Sequence, residues 1–244
     1  MFHVPPAARS ACWLNAWLSG REGADAVITG LMGEQAHVEF VVFGHDGPGL
    51  SPALLLGELR RQGVTQVSAA LPSPGDPLGL GGPAAFNADA LDVGEALVLH
   101  GPTTGLVPRT TGRSTRWEAA AAAPPTFLPD VAGADRGLRA ALTQAADALA
   151  DLDVASWNPD VADALMNLRQ PVELGAPMSF PSGAAARTAV SGFRCQHIVE
   201  LAFADHTGGA VSAWEAEQRR TALLPLQRAS RAAIVAACSS LDGR

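Results

Sequence analysis

The sequence predicts an α/β protein. A small, mostly parallel sheet with crossover helices and an edge hairpin falls in an α/β domain over residues 1–128. An α-helical region over residues 129–244 packs on it, as a second layer or as part of one continuous domain. Three observations carry this. Apolar runs at 37–43, 64–71 and 95–100 are rich in β-branched residues and separated by helix-length segments, the spacing of parallel crossover units. Two further runs flank Thr111 and Gly112 as the arms of a hairpin would. Past Pro124, Pro125 and Pro129 the strand signals stop, and apolar residues recur at helical spacing.

In chain order, Pro5 and Pro6 precede a short amphipathic helix that sets Trp13, Ala16 and Trp17 on one face and ends at Gly20. Both rings are expected on the protein's own core, with partner docking as the competing use of such a pair. A second helix covers 25–32 and stops at Gly33. The run 37–43 is apolar on both faces, as a central strand requires. Ser51 then caps a helix, Pro52 takes its first position, Leu54, Leu55 and Leu59 form its stripe, and Gly63 ends it. The strand at 64–71, joined to the first through that helix, should lie parallel to it with a right-handed crossover. After a glycine and proline loop, Pro83 opens a helix that Gly94 closes, and 95–100 supplies the third parallel strand. The hairpin, with Trp117 on its returning arm, belongs at the edge of such a sheet.

The second half is helical throughout. Leu138, Leu142, Ala145, Leu149 and Leu152 line one face of a helix, and Asn158 with Pro159 starts a short one reaching about residue 168. Ser182 caps a long helix to about Asp205 that is apolar nearly all round, and a last stretch over 210–241 is expected to break or kink at Pro225.

Composition excludes several function classes. A formal charge of −7 disfavours nucleic acid and anionic membrane as partners, since both call for a basic surface. Every basic side chain is arginine, with no lysine and no tyrosine, the bias of a GC-rich bacterial genome. Schiff-base chemistry, a P-loop lysine and a serine–lysine dyad are therefore excluded. Cys12, Cys195 and Cys238 are widely spaced in apolar contexts, which predicts reduced, packed thiols. With no leader-like start and no spanning apolar run, the expected location is cytoplasmic.

Ligands of an open parallel sheet gather beyond the carboxyl ends of its strands. That rule points to His45 and Asp46 after the first strand, Asp76 after the second and His100 after the third as a general acid–base set. Gly79, Gly81 and Gly82 would offer backbone amides to an anion, with Thr103, Thr104 and Arg109 as further contacts. The same residues also make ordinary turns, and the glycine spacing matches neither a dinucleotide fingerprint nor a Walker motif. Arg109, Arg113 and Arg116 read either as a phosphate fork or as a solvated strand edge. His197 and Glu200 share a helix face, in the reverse of the di-metal order. No metal or cofactor is called for. The favoured reading is a non-catalytic binding or assembly protein that self-associates and takes a small anionic ligand. Its alternative is a hydrolase-like small-molecule enzyme using the four strand-end residues.

Overall fold

The computed structural model describes residues 4–42, 48–151, 177–204 and 213–241. Local chemistry sets most of its boundaries. Pro6 opens α1 (Pro6–Leu18), where a missing N–H costs nothing. α2 (Ala24–Met32) stops at Gly33. The Ser51 hydroxyl accepts the Leu54 N–H at 3.4 Å, and Pro52 leads α3 (Pro52–Arg61). Gly94, in the left-handed region at φ 85°, ends α4 (Ala84–Val93). The strands are β1 (His37–Val41), β2 (Gln66–Ala70), β3 (Ala96–His100), β4 (Thr104–Thr111) and β5 (Ser114–Ala121). Then come α5 (Val131–Asp151), α6 (Gly183–Ala204) and α7 (Ala213–Ser239). The helix predicted from Asn158 lies outside the described residues. Among the described residues no helix is long and apolar enough to cross a membrane.

The α/β class holds, but the sheet is mixed. Its order is β1-β5-β4-β3-β2, and only β1 and β5 pair in parallel. The expected set of three parallel strands is thereby overturned: β2 and β3 run side by side in opposite directions, and β1 lies at the far edge. A helix-length spacer suits a parallel crossover without requiring one. Here α3 carries the chain from one edge of the sheet to the other, and β3 returns along β2 after the loop and α4. The hairpin β4–β5 is central rather than peripheral, because β1 and β3 add to its two sides. Two smaller corrections follow. Leu54 is 61% exposed, so the buried stripe of α3 is Leu55, Leu56 and Leu59. α7 does not break at Pro225, which lies inside one helix.

One face of the sheet packs Phe40, Val67, Leu97, Leu99, Leu106 and Trp117 against α1, α2 and α3. Trp13 and Trp17 are each 7% exposed within this cluster, as the core reading expects. The Trp13 indole lies directly on Gly30, where a Cβ would come within 2.2 Å of the ring. On the opposite face Phe86 and Ala90 of α4 cover Ala70, Val98 and Val107. The C-terminal helices form a further layer in which α5 and α6 both pack on α7, and α7 in turn packs on α1 and β2.

α1 is the hub, buried at every residue from Ala7 to Trp17. Asn15 faces the outer edge of β2. Its Nδ2 donates to the Val67 carbonyl at 2.7 Å and to the Cys238 carbonyl at 3.2 Å, while its Oδ1 accepts the Val67 N–H at 2.9 Å. Ser239 Oγ accepts the Ala69 N–H at 3.0 Å, and Gln66 Nε2 donates to the Ser239 carbonyl at 2.7 Å. Side chains thus complete the strand edge and the last carbonyls of α7 together. Near the other end of β2, Arg231 of α7 donates to the Leu71 carbonyl at 3.2 Å and to Asp76 at 2.8 Å.

Replacing Asn15 with Ala strands the Val67 N–H and carbonyl in a dry interior. Asn15→Ala should lower unfolding free energy on the order of 3 kcal/mol, read as a drop in urea midpoint at unchanged m-value. A loss below about 0.5 kcal/mol, typical of an ordinary surface change, would refute this account of the edge.

Candidate functional site

The described part of the sequence-predicted rim does not come together. His45 and Asp46 lie outside the described residues. His100 pairs in register with Gln66, at the start of β2, whereas Asp76 lies in the loop that leaves its Ala70 end. Antiparallel pairing therefore sets the two toward opposite ends of one strand. Asp76 is engaged by Arg231. His100 Nε2 lies 2.9 Å from Ser68 Oγ, and burial holds its imidazole below the usual histidine range. Ser68 is fully buried and His100 half-buried, so the hydroxyl of this pair sits in the core.

The predicted anion contacts are engaged elsewhere too. A Cβ at Gly79 would sit 2.7 Å from Ala70 Cα, and one at Gly81 would sit 2.4 Å from the Ala123 carbonyl oxygen, so both glycines permit close backbone packing. The Gly82 N–H donates to Asn87 Oδ1 at 3.0 Å. The Thr103 carbonyl accepts the Ala122 N–H, and Thr104 is buried between Leu99 and Ala121. Arg109 pairs with Asp89 at 2.7 Å and Glu118 at 3.4 Å, Arg116 pairs with Glu39 at 2.8 Å, and Arg113 donates to the Glu34 carbonyl. These three arginines tie the solvated sheet face together and present no open fork. On α6, Glu200 accepts from Gln196 at 3.1 Å. Among the described residues no group of three or more His, Cys, Asp or Glu is placed to hold a metal ion.

A cavity of about 830 Å³ opens instead between α5 and α6. Because both helices pack on α7, the gap between them is floored by Ala236, Ser239 and Ser240, together with Gln66 of β2. One wall is aliphatic, with Leu128, Val131, Leu138 and Leu142. The other is the α6 stripe Ala184, Arg187, Thr188, Ser191, Arg194 and Cys195, residues three or four apart and hence on one face. Both helices begin at the cavity: Asp130 Oδ1 accepts the Gly133 N–H at 2.7 Å, and Ser182 Oγ accepts the Ala185 N–H at 3.1 Å.

Its charge is unlike that of the whole chain. Of the two lining carboxylates, Asp135 pairs with Arg139 at 2.7 Å and Asp130 caps α5. Among the described residues no carboxylate pairs with Arg187, and Arg194 adds a second guanidinium one turn-pair along. Burial pushes the Cys195 thiol up to about 11 against the pull of Arg194, so it lines the wall as a neutral thiol. Thr188 is 2% exposed and lines the cavity. The signal for this site is present in the sequence: two arginines seven apart, and no acid between Glu173 and Glu200.

A second perturbed group lies outside the cavity. Glu95 accepts the Ala7 N–H at 2.7 Å and so caps α1 from a distant part of the chain, since Pro5 supplies no side-chain cap. Burial raises its carboxyl to about 7, outweighing that hydrogen bond and the nearby Arg9. Burial also lowers Arg9, with Glu95 and Glu34 acting the other way.

Residues 7–131 match the sequence model of a family described as Rv1486c-like protein, N-terminal domain, and residues 132–235 match that of its C-terminal domain. The uncharacterized protein Rv1486c of Mycobacterium tuberculosis is 27% identical over 97% of this chain and 96% of its own length. The uncharacterized protein ML1804 of Mycobacterium leprae is 26% identical over 97% of each. No solved structure matches the chain.

The folded Glu95 carboxyl keeps its proton to about pH 7, against 4.5 as the ordinary value. Its contribution to stability is complete below the lower value and is lost as pH rises through the higher one, a fall on the order of 3 kcal/mol. Urea titrations from pH 4.5 to 7.5 should show that slope in the native chain and a flatter one in Glu95→Gln. Identical slopes would contradict the assignment.

Proposed function

The chain belongs to the Rv1486c-like family, and for this member we propose a non-catalytic binding role in which the groove between α5 and α6 takes a small anionic ligand. The observation that carries the reading is Arg187, which lines a cleft of ligand-sized volume with no carboxylate partner among the described residues. Arg194 strengthens the positive field, and the first turns of α5 and α6 add the positive ends of two helix dipoles. In a chain of net charge −7, a cationic cleft is a local arrangement rather than a consequence of overall charge.

Catalysis has weaker support. The groove is lined by a neutral thiol, and Ser68, the hydroxyl partner of His100, is fully buried. A dimer face is also poorly supported on the described surface, where the large exposed hydrophobics are Leu54 and Phe127.

Thermal-shift and calorimetric titration with phosphorylated and carboxylated metabolites tests the reading. At least one anion should raise the melting temperature saturably, with affinity falling as salt rises. The double variant Arg187→Gln, Arg194→Gln should fold normally and lose about tenfold or more in affinity. Failure of every anion, or an unchanged affinity in the double variant, would remove this role.

A further inference from the structure

We propose that the ligand of this groove is an amphiphile, with one acidic headgroup, carboxylate or phosphate, on an aliphatic chain. The inference rests on the anion-binding reading above and adds the chemistry of the remainder of the ligand.

The groove has two unlike sides. Its α6 wall offers the Arg187 guanidinium and the hydroxyls of Thr188 and Ser191, with Arg194 farther along the same face. Its opposite wall offers Leu128, just ahead of α5, and Val131, Leu138 and Leu142 of α5. A compact polar metabolite would satisfy the first wall and leave the second facing its own hydroxyls or water, forfeiting the burial that apolar surface gains. An acid with an aliphatic chain satisfies both at once. The headgroup then has two kinds of partner: the Arg187 guanidinium, with which no described carboxylate pairs, and the hydroxyls of Thr188 and Ser191.

A second observation lies just outside. Phe127 is 75% exposed and directly precedes Leu128, the first residue of the aliphatic wall. A large aromatic left in water beside an apolar cleft suits a chain that leaves the groove past its lip.

Isothermal titration with butanoate, hexanoate, octanoate, octyl phosphate and octanol, all below micellar concentration, decides the matter. Affinity should rise about fourfold for each methylene from butanoate to octanoate, the gain expected from burying one CH₂. Comparison of octanoate with octyl phosphate assigns the headgroup, since the preferred one binds at 1:1 with the lower Kd. Octanol should bind at least tenfold more weakly than octanoate. Arg187→Gln should erase the octanoate–octanol difference, and Leu142→Gln, at a part-buried position, should reduce the chain-length slope while leaving butanoate unchanged. Equal affinities of butanoate and octanoate would overturn the amphiphile and leave the anion site standing. Equal affinities of octanol and octanoate would overturn both. Failure of every acid in this series, beside a polar anion that does bind, would again overturn only the aliphatic chain.

Discussion

The outer edge of β2 is the constraint on which the rest of the molecule depends. An edge strand buried beneath helices exposes backbone donors and acceptors to a place without water, and each unpaired group there costs about 1–3 kcal/mol. Here the deficit is met from two directions. Asn15 acts as a short substitute strand, taking both the N–H and the carbonyl of Val67, and the Ser239 hydroxyl takes the Ala69 N–H. The same contacts resolve the complementary problem at the end of α7, whose last carbonyls have no helical partner: Cys238 receives Asn15 and Ser239 receives Gln66. Two sets of orphan groups cancel, and sheet, α1 and α7 become one unit.

That arrangement explains which parts of the fold can be read from the chain. Local signals are reliable where a single residue dictates a boundary. Pro6, Ser51, Pro52, Gly94 and Ser182 all stand where helix chemistry puts them. Strand order is another matter, because the spacer between two strands limits how far the chain can travel without fixing its direction. The apolar run at 37–43 suggests a central strand, yet β1 is an edge, covered through Phe40, which bridges Leu50 and stacks on Trp117 at 6.0 Å. Nor does any local pattern announce Asn15. A polar residue between Leu14 and Ala16 reads as the solvent side of an amphipathic helix, and only the tertiary fold reveals that this helix has no solvent side.

The candidate site was hidden for a related reason. Strand-end reasoning presumes a common rim, and it fails once neighbouring strands alternate in direction. Gly79 and Gly81 lie in a loop whose glycines answer to backbone contact with Ala70 and Ala123, so their density reports packing and no phosphate cradle. By contrast, the α6 stripe from Ala184 to Cys195 is periodic and free of acids. Its meaning escapes notice because Val190, Phe193 and Ile198 surround it and make the helix look apolar all round. A stripe of arginine and hydroxyl residues on such a helix is better read as one wall of a cleft, since a helix buried on every side would leave those groups unpaired.

Edge and groove share atoms. Ser239 accepts the Ala69 N–H at its hydroxyl and Gln66 Nε2 at its carbonyl, and it also lines the cavity floor, as Gln66 does. If the last turn of α7 lifts from β2, the strand edge opens and the floor disappears in the same event. Were the proposed ligand to sit in the groove, it would meet only the closed arrangement and add its binding free energy to the closure of β2. On that proposal the dependence would be reciprocal: whatever loosens Asn15 from Val67 would weaken the hold on the ligand by the same coupling energy, although Asn15 is not among the residues that line the cavity.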